Sequence, residues 1–519
     1  MRERITYLQK LGDFVDPSAV RVDTAGINGP DVDAVREDRL TLALDELPAE
    51  LRALLASTKH LHVRWVSTDA HHVVSPVLAR LPPGFHVFFT PDNKSDSAVA
   101  ASARLCPELG EIFGDISCST LENSFTTLPR DRFSHSPAHQ YFQQLDSLEH
   151  FIRYAKGHLC QPTDKACSAR LDDLSSAASL DITYDSSEGP LRITALWPYQ
   201  RHAISATSRP GMRTEVGILS NDKPKTLEPH ELGVTGLLTV LGQDSKPSAA
   251  MFSFPSRHRD AESTFSARFL SPTGLHPTLQ LRLSSSVLPP EAHQLQTTSQ
   301  LTCSPYAYLT LPRTIFADKY QLSDPLFLAS KNLTTLRHTT QPVDLEAPEY
   351  AVKTWGSAIL LQLAPPSSAS SSSSSAEWTA EIPLHLRYFA PVSGGYATVS
   401  VPYPAVFWAC EPHGEGDGDS GSSVLELGKN PFEKRGLGYD GLFEDGTVFW
   451  HVAPRSPTTG RGGKLVTEVR VPVLDVDRAG WIGVGTGLVI GLGFAWVVWK
   501  LVGVWMGRKA GDVGEKKRQ

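Results

Sequence analysis

The sequence predicts a mainly β protein: one or more β-sandwich-like domains, a small α+β region at the N-terminal end, and one C-terminal transmembrane helix. Three observations carry this reading. Short runs alternate apolar and polar residues, the period-two pattern of a half-buried strand. Proline (38 residues) and glycine (39 residues) are frequent enough to turn many strands. The run from Ala479 to Trp499 contains no charged residue, and about 20 helical residues cross the roughly 30 Å of a bilayer's hydrocarbon.

The strand candidates are His60–Val66, Leu180–Tyr184, Leu191–Trp197, Thr278–Leu283, Tyr306–Leu311, Leu384–Tyr388, Tyr396–Val401 and Lys464–Val471. Between the second and third, Asp185–Pro190 is turn chemistry and predicts a hairpin. Two helices are expected. One is Pro48–Ala56. The other is Ala138–His158, where Phe142, Leu145, Leu148, Phe151 and Ile152 recur at helical spacing. A boundary near residue 165 separates an N-terminal α+β region (1–165) from a β-rich domain (166–478), followed by the span (479–506) and a basic tail (507–519). Two inserts, 365–376 (nearly all serine) and 411–423 (acidic and Gly-rich), cannot pack a core and read as surface loops. Among the six cysteines, Cys106/Cys118 and Cys160/Cys167 lie close enough to pair. Buried thiols are the alternative, since spacing alone does not set connectivity.

The span raises the question of sidedness. Net charge is only −7, and no basic patch interleaves with aromatics, so nucleic acid is not an expected partner. The opening ten residues hold no apolar stretch of a signal peptide. Either the bulk is cytosolic, or it is translocated and the tail stays behind. Three features favour translocation. Basic residues cluster after the helix, as the positive-inside rule requires of a cytosolic end. Lys516 and Lys517 stand fourth and third from the terminus, a dilysine pattern read as an endoplasmic-reticulum retrieval address. Asn93-Lys-Ser and Asn332-Leu-Thr are glycosylation sequons. The expected placement is therefore single-pass in the endoplasmic-reticulum membrane, N-terminus lumenal and C-terminus cytosolic. Within the helix, Gly483, Gly487, Gly491 and Ala495 share one face, and small residues at this spacing let two membrane helices approach closely. Trp481, Trp499 and Trp505 flank the span like an aromatic belt.

Several patterns resemble catalytic motifs without their context. Gly418-Asp-Ser-Gly421 has no upstream histidine segment to complete a triad. Asp31-Val-Asp33, Asp417-Gly-Asp419 and Asp475-Val-Asp477 match a metal-binding glycosyltransferase triplet, but no nucleotide-binding βαβ pattern surrounds them. His60, His62, His71 and His72 lack a partner set with structural-zinc spacing. Partly buried or surface histidine is the expectation. No catalytic residue, cofactor or metal is expected.

Four segments carry a resemblance. Leu311-Pro-Arg-Thr-Ile-Phe-Ala-Asp-Lys-Tyr-Gln-Leu322, Pro383-Leu-His-Leu-Arg-Tyr-Phe-Ala-Pro391, Val401-Pro-Tyr-Pro-Ala-Val-Phe-Trp-Ala-Cys410 and, more loosely, Gly274-Leu-His-Pro-Thr-Leu279 are similar to ordered segments of the PIG-X family. The opening Met1–Gln9 and the single C-terminal span are similar to its fungal, protease B non-derepressible branch. The resemblance covers roughly Leu180–Trp505. It implies a non-catalytic, stabilising subunit of the endoplasmic-reticulum glycosylphosphatidylinositol (GPI) mannosyltransferase I complex. The implied partner is a many-spanning PIG-M-like catalytic subunit that adds the first mannose to the GPI precursor. A membrane-tethered lumenal chaperone is the alternative it leaves open.

His385, Arg387 and Tyr388 stand in the second of these segments. Strand alternation puts His385 and Arg387 on one face, with Leu384, Leu386 and Tyr388 on the other. One reading has His385 and Arg387 contact the catalytic partner or a lipid phosphate, which suits a guanidinium. The other has Arg387 pair with a carboxylate such as Asp318 and knit the sandwich together.

Overall fold

A computed structural model describes the chain except for residues 93–94, 129–137, 210, 225–226, 228–229, 300, 341–343, 367–376, 413–429, 435, 445, 457–462 and 516–519. Asn93, Lys516, Lys517, Asp417–Asp419, Gly418–Gly421 and nearly all of both inserts lie outside the described residues. The chain forms two units. The first comprises Met1–Arg387 and Ser400–Val469; the second comprises Tyr388–Val399 and Arg470–Gln519.

Strands dominate. The first twelve are β1 (Arg2–Gln9), β2 (Arg21–Val22), β3 (Gly26–Leu42), β4 (Thr58–Val66), β5 (Gly84–Pro91), β6 (Thr126–Thr127), β7 (His139–Gln143), β8 (Ser179–Asp185), β9 (Leu191–Thr207), β10 (Arg213–Asp222), β11 (Glu231–Val240) and β12 (Ser248–Pro255). They build one sheet in the order β12-β11-β10-β1-β3-β9-β8-β4-β5-β7-β6, with β2 on β3. Only β1 and β10 pair in parallel among its described ladders. The next strands are β13 (His258–Phe269), β14 (Thr278–Leu283), β15 (Leu301–Pro312), β16 (Ile315–Phe316), β17 (Leu333–Thr339), β18 (Gly356–Leu363), β19 (Trp378–Pro383), β20 (His385–Leu386), β21 (Tyr396–Pro402), β22 (Ala405–Pro412), β23 (Val448–Pro454) and β24 (Val466–Pro472). Eight of them form a second sheet, β17-β18-β15-β22-β23-β13-β14-β19, while β16 pairs with β20 and β21 with β24. The helices are α1 (Ala49–Leu55), α2 (Ser95–Phe113), α3 (Leu121–Ser124), α4 (Glu149–Leu159), α5 (Lys165–Asp172), α6 (Pro290–Ser299), α7 (Pro325–Ser330) and α8 (Ala479–Glu515).

The mainly β expectation holds, and the hairpin at Asp185–Pro190 joins β8 to β9. Alternation explains how the central strands serve two neighbours. Phe85 and Phe113 of α2 have ring centroids 4.6 Å apart, so one face of β5 meets the helices. On the other face, Phe88 reaches the backbone of Gly438, whose φ is +81° and where a Cβ would stand 2.6 Å from the Phe88 ring. Gly438 belongs to an irregular segment, Asn430–Phe443, whose Leu437, Tyr439 and Phe443 are fully buried. One core then includes Leu105 and Phe113 from α2, Phe88 from the larger sheet, Tyr439, and Tyr308, Phe407 and Phe449 from the second sheet.

Two expectations are corrected. The helix expected over Ala138–His158 begins only at Glu149. His139–Gln143 is β7, whose backbone pairs with β5 from Phe85 to Phe89. The sheet's open ladder there outweighs a helical spacing that Phe142 shares with the true helix. The strand expected over Leu384–Tyr388 shortens to the two residues of β20. The boundary expected near residue 165 falls at the start of α5, and strands from both sides of it share the larger sheet.

All six cysteines are paired, as Cys106–Cys118, Cys160–Cys167 and Cys303–Cys410. The first two are the pairs that sequence proximity allows. The third joins directly opposed residues of β15 and β22 across a separation of 107 residues. In the second unit, the stretch Val476–Met506, which enters α8 at Ala479, is long and apolar enough to cross a membrane and is not buried. Replacing Cys303 and Cys410 together by serine is expected to lower unfolding stability by about 2–5 kcal/mol, because a long loop in the unfolded chain is released. Thermal unfolding of the oxidised proteins measures the loss.

Candidate functional site

Three of the four segments that carry the sequence resemblance meet in space. β20 pairs with β16, setting Ile315 opposite Leu386 and Phe316 opposite His385. On its other side, Leu384 N donates to Pro277 O and Leu386 N to Leu275 O, both at 2.9 Å. The loop Leu275–Pro277 thus completes a small patch of three hydrogen-bonded segments side by side. His385 has its ring on Phe316 (5.4 Å) and faces His276 edge-on (4.5 Å). Its Nε2 donates to Gln321 Oε1 at 3.0 Å, leaving Nδ1 3.1 Å from His276 Nδ1, where it accepts. Burial, then the His276 ring, lowers the His385 pKa, and Asp318 opposes them.

Arg387 is the anchor of this patch, with only 6% of its surface exposed. Its guanidinium lies 4.5 Å over the Phe316 ring. Nη1 donates to the backbone carbonyls of Asp344 and of Ala347, the latter at 2.8 Å. Asp318 is not its partner: that carboxylate instead accepts from Tyr320 N at 2.8 Å and acts on His385. Arg387 thus clamps the Asp344–Ala347 loop through main-chain oxygens. Sequence reasoning could not find these acceptors, because a carbonyl has no residue type. Beside the clamp lies a cleft of ≈ 240 Å³ lined by Arg313, Lys353, Arg387, Asn123 and Glu122, among others. Tyr388, next in the chain, is 70% exposed and belongs to the second unit.

A second polar cluster lies in the core and escaped sequence reasoning almost entirely. Asp181 on β8 is 2% exposed. It accepts from His62 Nε2 at 2.9 Å and from Lys434 Nζ at 3.2 Å, and it stands 3.5 Å from Arg64 Nη1. His62 Nδ1 lies 3.3 Å from Gly436 O. Arg64 and Lys434 hold the Asp181 carboxyl far below the usual range against the cost of burial. His258 and His451 stack nearby, with Nδ1 to Nε2 at 3.0 Å. Burial drives both pKa values well down. His62 is therefore a partnered core residue, and His60 beside it is pushed down to about 4 by burial and by His62. Among the described residues no His, Cys, Asp and Glu are grouped to hold a metal ion. Asp31 pairs with Arg201 at 3.5 Å, and Asp475 caps a turn by accepting from Asp477 N.

The remaining candidates are peripheral. Asn332 is exposed, holds a left-handed φ of +55°, and donates from Nδ2 to Thr379 O at 2.7 Å. A glycosylated amide keeps one N–H, so that bond and a glycan are compatible. Gly483, Gly487 and Gly491 have nothing within 4 Å of where a Cβ would stand, and Ala495 is exposed beside them.

Comparison with known proteins adds the context. The family model described as PIG-X / PBN1 matches residues 272–502, which contain the whole patch around His385 and Arg387. Protein pbn1 of Neurospora crassa is 56% identical over 97% of this chain and 95% of its own. Protein PBN1 of Gibberella zeae is 43% identical over 100% of this chain and 98% of its own. Protein PBN1 of Yarrowia lipolytica is 26% identical over 96% and 95%. These relatives extend the likeness to the N-terminal region, where the sequence motifs matched only the opening residues. The C-terminal domain of the Streptococcus agalactiae AgI/II polypeptide BspA aligns with 79% of the chain at a TM-score of 0.13, too loosely to define a shared fold.

Three outcomes are expected. Arg387→Ala removes two charge-assisted bonds and should cost on the order of 3 kcal/mol, whereas exposed Tyr388→Ala should change stability by less than about 0.5 kcal/mol. Chemical unfolding measures both. A fully stable Arg387→Ala protein would assign this side chain to contact rather than scaffolding. Asp181→Asn leaves two buried cations short of a counter-charge and should cost about 3–5 kcal/mol. The Asp181 pKa is depressed on folding, so its contribution is complete above the unfolded value of about 3.9 and is lost only as pH falls further. His60 at about 4 and His86 at about 3, both lowered chiefly by burial, act in a higher window. The unfolded chain binds their protons below about pH 6.5 and the folded chain does not. Stability should therefore decline from pH 7 to pH 5, above the Asp181 window, as chemical unfolding across that range measures.

Proposed function

The chain belongs to the PIG-X / PBN1 family, and from that premise we propose that it is a non-catalytic, stabilising subunit of the endoplasmic-reticulum GPI mannosyltransferase I complex. Family identity supports a role in GPI-anchor biosynthesis. The finer reading is that the protein holds a many-spanning PIG-M-like catalytic subunit in the membrane while that subunit adds the first mannose to the GPI precursor. The observation that carries it is the state of α8. Thirty-one residues form an apolar helix with no part buried, and its small-residue face has no neighbour within the described residues. Lipid tails offer no hydrophobic drive for helices to associate, so close backbone approach along small residues is how such a face gains contacts.

The lumenal orientation is part of the proposal. Three disulfides suit an oxidising compartment rather than the cytosol. Exposed Asn332 offers a sequon for glycan addition, and the basic tail after the span favours a cytosolic C-terminus. The patch around Arg387 is read as scaffold, which leaves the helix as the primary contact.

Co-purification in mild detergent tests the reading. Wild type should bring down a stoichiometric many-spanning protein. Gly487→Leu with Gly491→Leu should weaken its retention by on the order of tenfold, about 1.4 kcal/mol, while the variant stays membrane-integrated. Undiminished retention would move the contact to the β body. A diffuse set of clients in place of one partner would support a chaperone instead.

A further inference from the structure

Hydrogen bonds lace the two stretches of the second unit together immediately ahead of the apolar helix. Val392 N donates to Leu474 O at 3.1 Å, and Val476 N donates back to Val392 O at 3.2 Å. Val473 N donates to Gly395 O at 3.0 Å, and Ser393 Oγ to Asp477 Oδ2 at 2.6 Å. Gly394 and Gly395, at φ +84° and +71°, supply the left-handed backbone that lets the turn fold back. The turn from Tyr388 to Tyr396 is thereby fixed to Val476, the first residue of the apolar stretch.

The length of that stretch sets the height of the turn. The part of it within α8, Ala479–Met506, spans about 42 Å at 1.5 Å per residue. A bilayer's hydrocarbon is about 30 Å thick, and about 40–45 Å with its headgroups. The first turns of the helix must stand in the headgroup layer, and whatever is bonded to Val476 stands there with them.

The side chains suit that layer. Tyr388 (70%), Val392 (40%), Tyr396 (52%), Leu474 (47%), Val476 (49%) and Trp481 (82%) are exposed in this unit. Tyrosine and tryptophan concentrate at membrane–water interfaces. The neighbouring acids are occupied within the unit. Asp475 Oδ1 accepts from Gly394 N at 3.3 Å and Asp477 N at 3.1 Å, and Asp477 accepts from Ser393. Arg478 pairs with Asp475 at 3.5 Å and keeps 82% of its side chain exposed, so its remaining donors can meet lipid phosphate.

We propose that the Tyr388–Tyr396 turn is a second membrane contact, a collar seated in the lipid headgroup layer beside α8. The proposal rests on α8 crossing a bilayer and not on which enzyme the protein serves. The full-length chain, with Tyr388→Cys or Val392→Cys, is labelled with an environment-sensitive fluorophore in phosphatidylcholine nanodiscs; the native cysteines are all paired, so only the new thiol reacts. Ile490→Cys reports the span. Lipid carrying a nitroxide near the headgroup should quench the labels at 388 and 392, relative to discs without it, and lipid with a deep nitroxide should quench 490. Unchanged intensity at 388 and 392 with quenching at 490 overturns the collar. Unchanged intensity at 490 removes the span and the proposal with it. Shielding of 388 and 392 from water that requires a co-reconstituted protein partner assigns the surface to protein and also overturns it.

Discussion

The first unit is organised around one costly object, a buried irregular segment. Gly436–Phe443 lies buried in the core, with the mostly half-buried Asn430–Lys434 ahead of it, and neither stretch belongs to a sheet, so their peptide groups lack the partners a ladder would give. Buried main-chain groups must be bonded, and charged side chains answer the need from all sides. Arg4 on β1 and Arg39 on β3 donate to Pro431 O at 3.1 and 2.7 Å. His258 on β13 lies 3.3 Å from Lys434 O. Arg337 on β17 donates to Leu442 O at 3.1 Å. Asp440 accepts from the amides of Gly436, Leu437 and Gly441, each at 2.9 Å.

This arrangement explains why so many charges are buried. Arg4, Arg39, Arg337 and His258 are matched to carbonyls of the segment, and His62 to the Asp181 carboxylate; a buried charge left without its partner would carry a penalty of several kcal/mol. Apolar contact then fills the remaining space. Phe407 stands 4.7 Å from Tyr439 and meets Phe449 edge-on at 5.4 Å, while Phe443 meets Phe449 at 81°. Edge-to-face pairs of this kind add to simple burial. Polar satisfaction fixes where the segment lies, and the aromatic cluster supplies the gain from burying it.

The same logic separates what sequence could reveal from what it could not. β8, β9, β14 and β15 are legible because apolar and polar residues alternate along their sequences, although burial alternates cleanly only in β14. α8 was legible because length and composition suffice to identify an apolar span. In β4 the period was readable but its meaning was not: His62 and Arg64 occupy the polar phase of the pattern, yet they face Asp181 and Asn430–Phe443. A local pattern cannot distinguish water from a carboxylate more than a hundred residues away. At the candidate site, the motifs drew attention to His385 and Arg387. The sequence named Asp318 as the partner because carboxylates are visible in sequence and the carbonyls of Asp344 and Ala347 are not. The start of β7 was misread because Phe142 fits the helical stripe of α4, while the open edge of β5 claims its backbone.

The core segment also bears on how much of the chain is one folding unit. The family match begins at residue 272, after the last strand of the larger sheet. Taken alone, that boundary invites a view of two independent halves. The buried charges argue otherwise. Arg4, Arg39 and His62 lie before it, and their acceptors at Pro431 and Gly436 lie after it. Asp181 likewise lies before it and Lys434 after it. Cut at 272, the N-terminal part would leave Arg4, Arg39 and His62 without these acceptors and Asp181 without Lys434. The C-terminal part would lose the donors to Pro431 O, Lys434 O and Gly436 O. Each part is thus the condition for burying the other, which is why the likeness to relatives runs through the whole chain rather than stopping where the recognisable motifs begin.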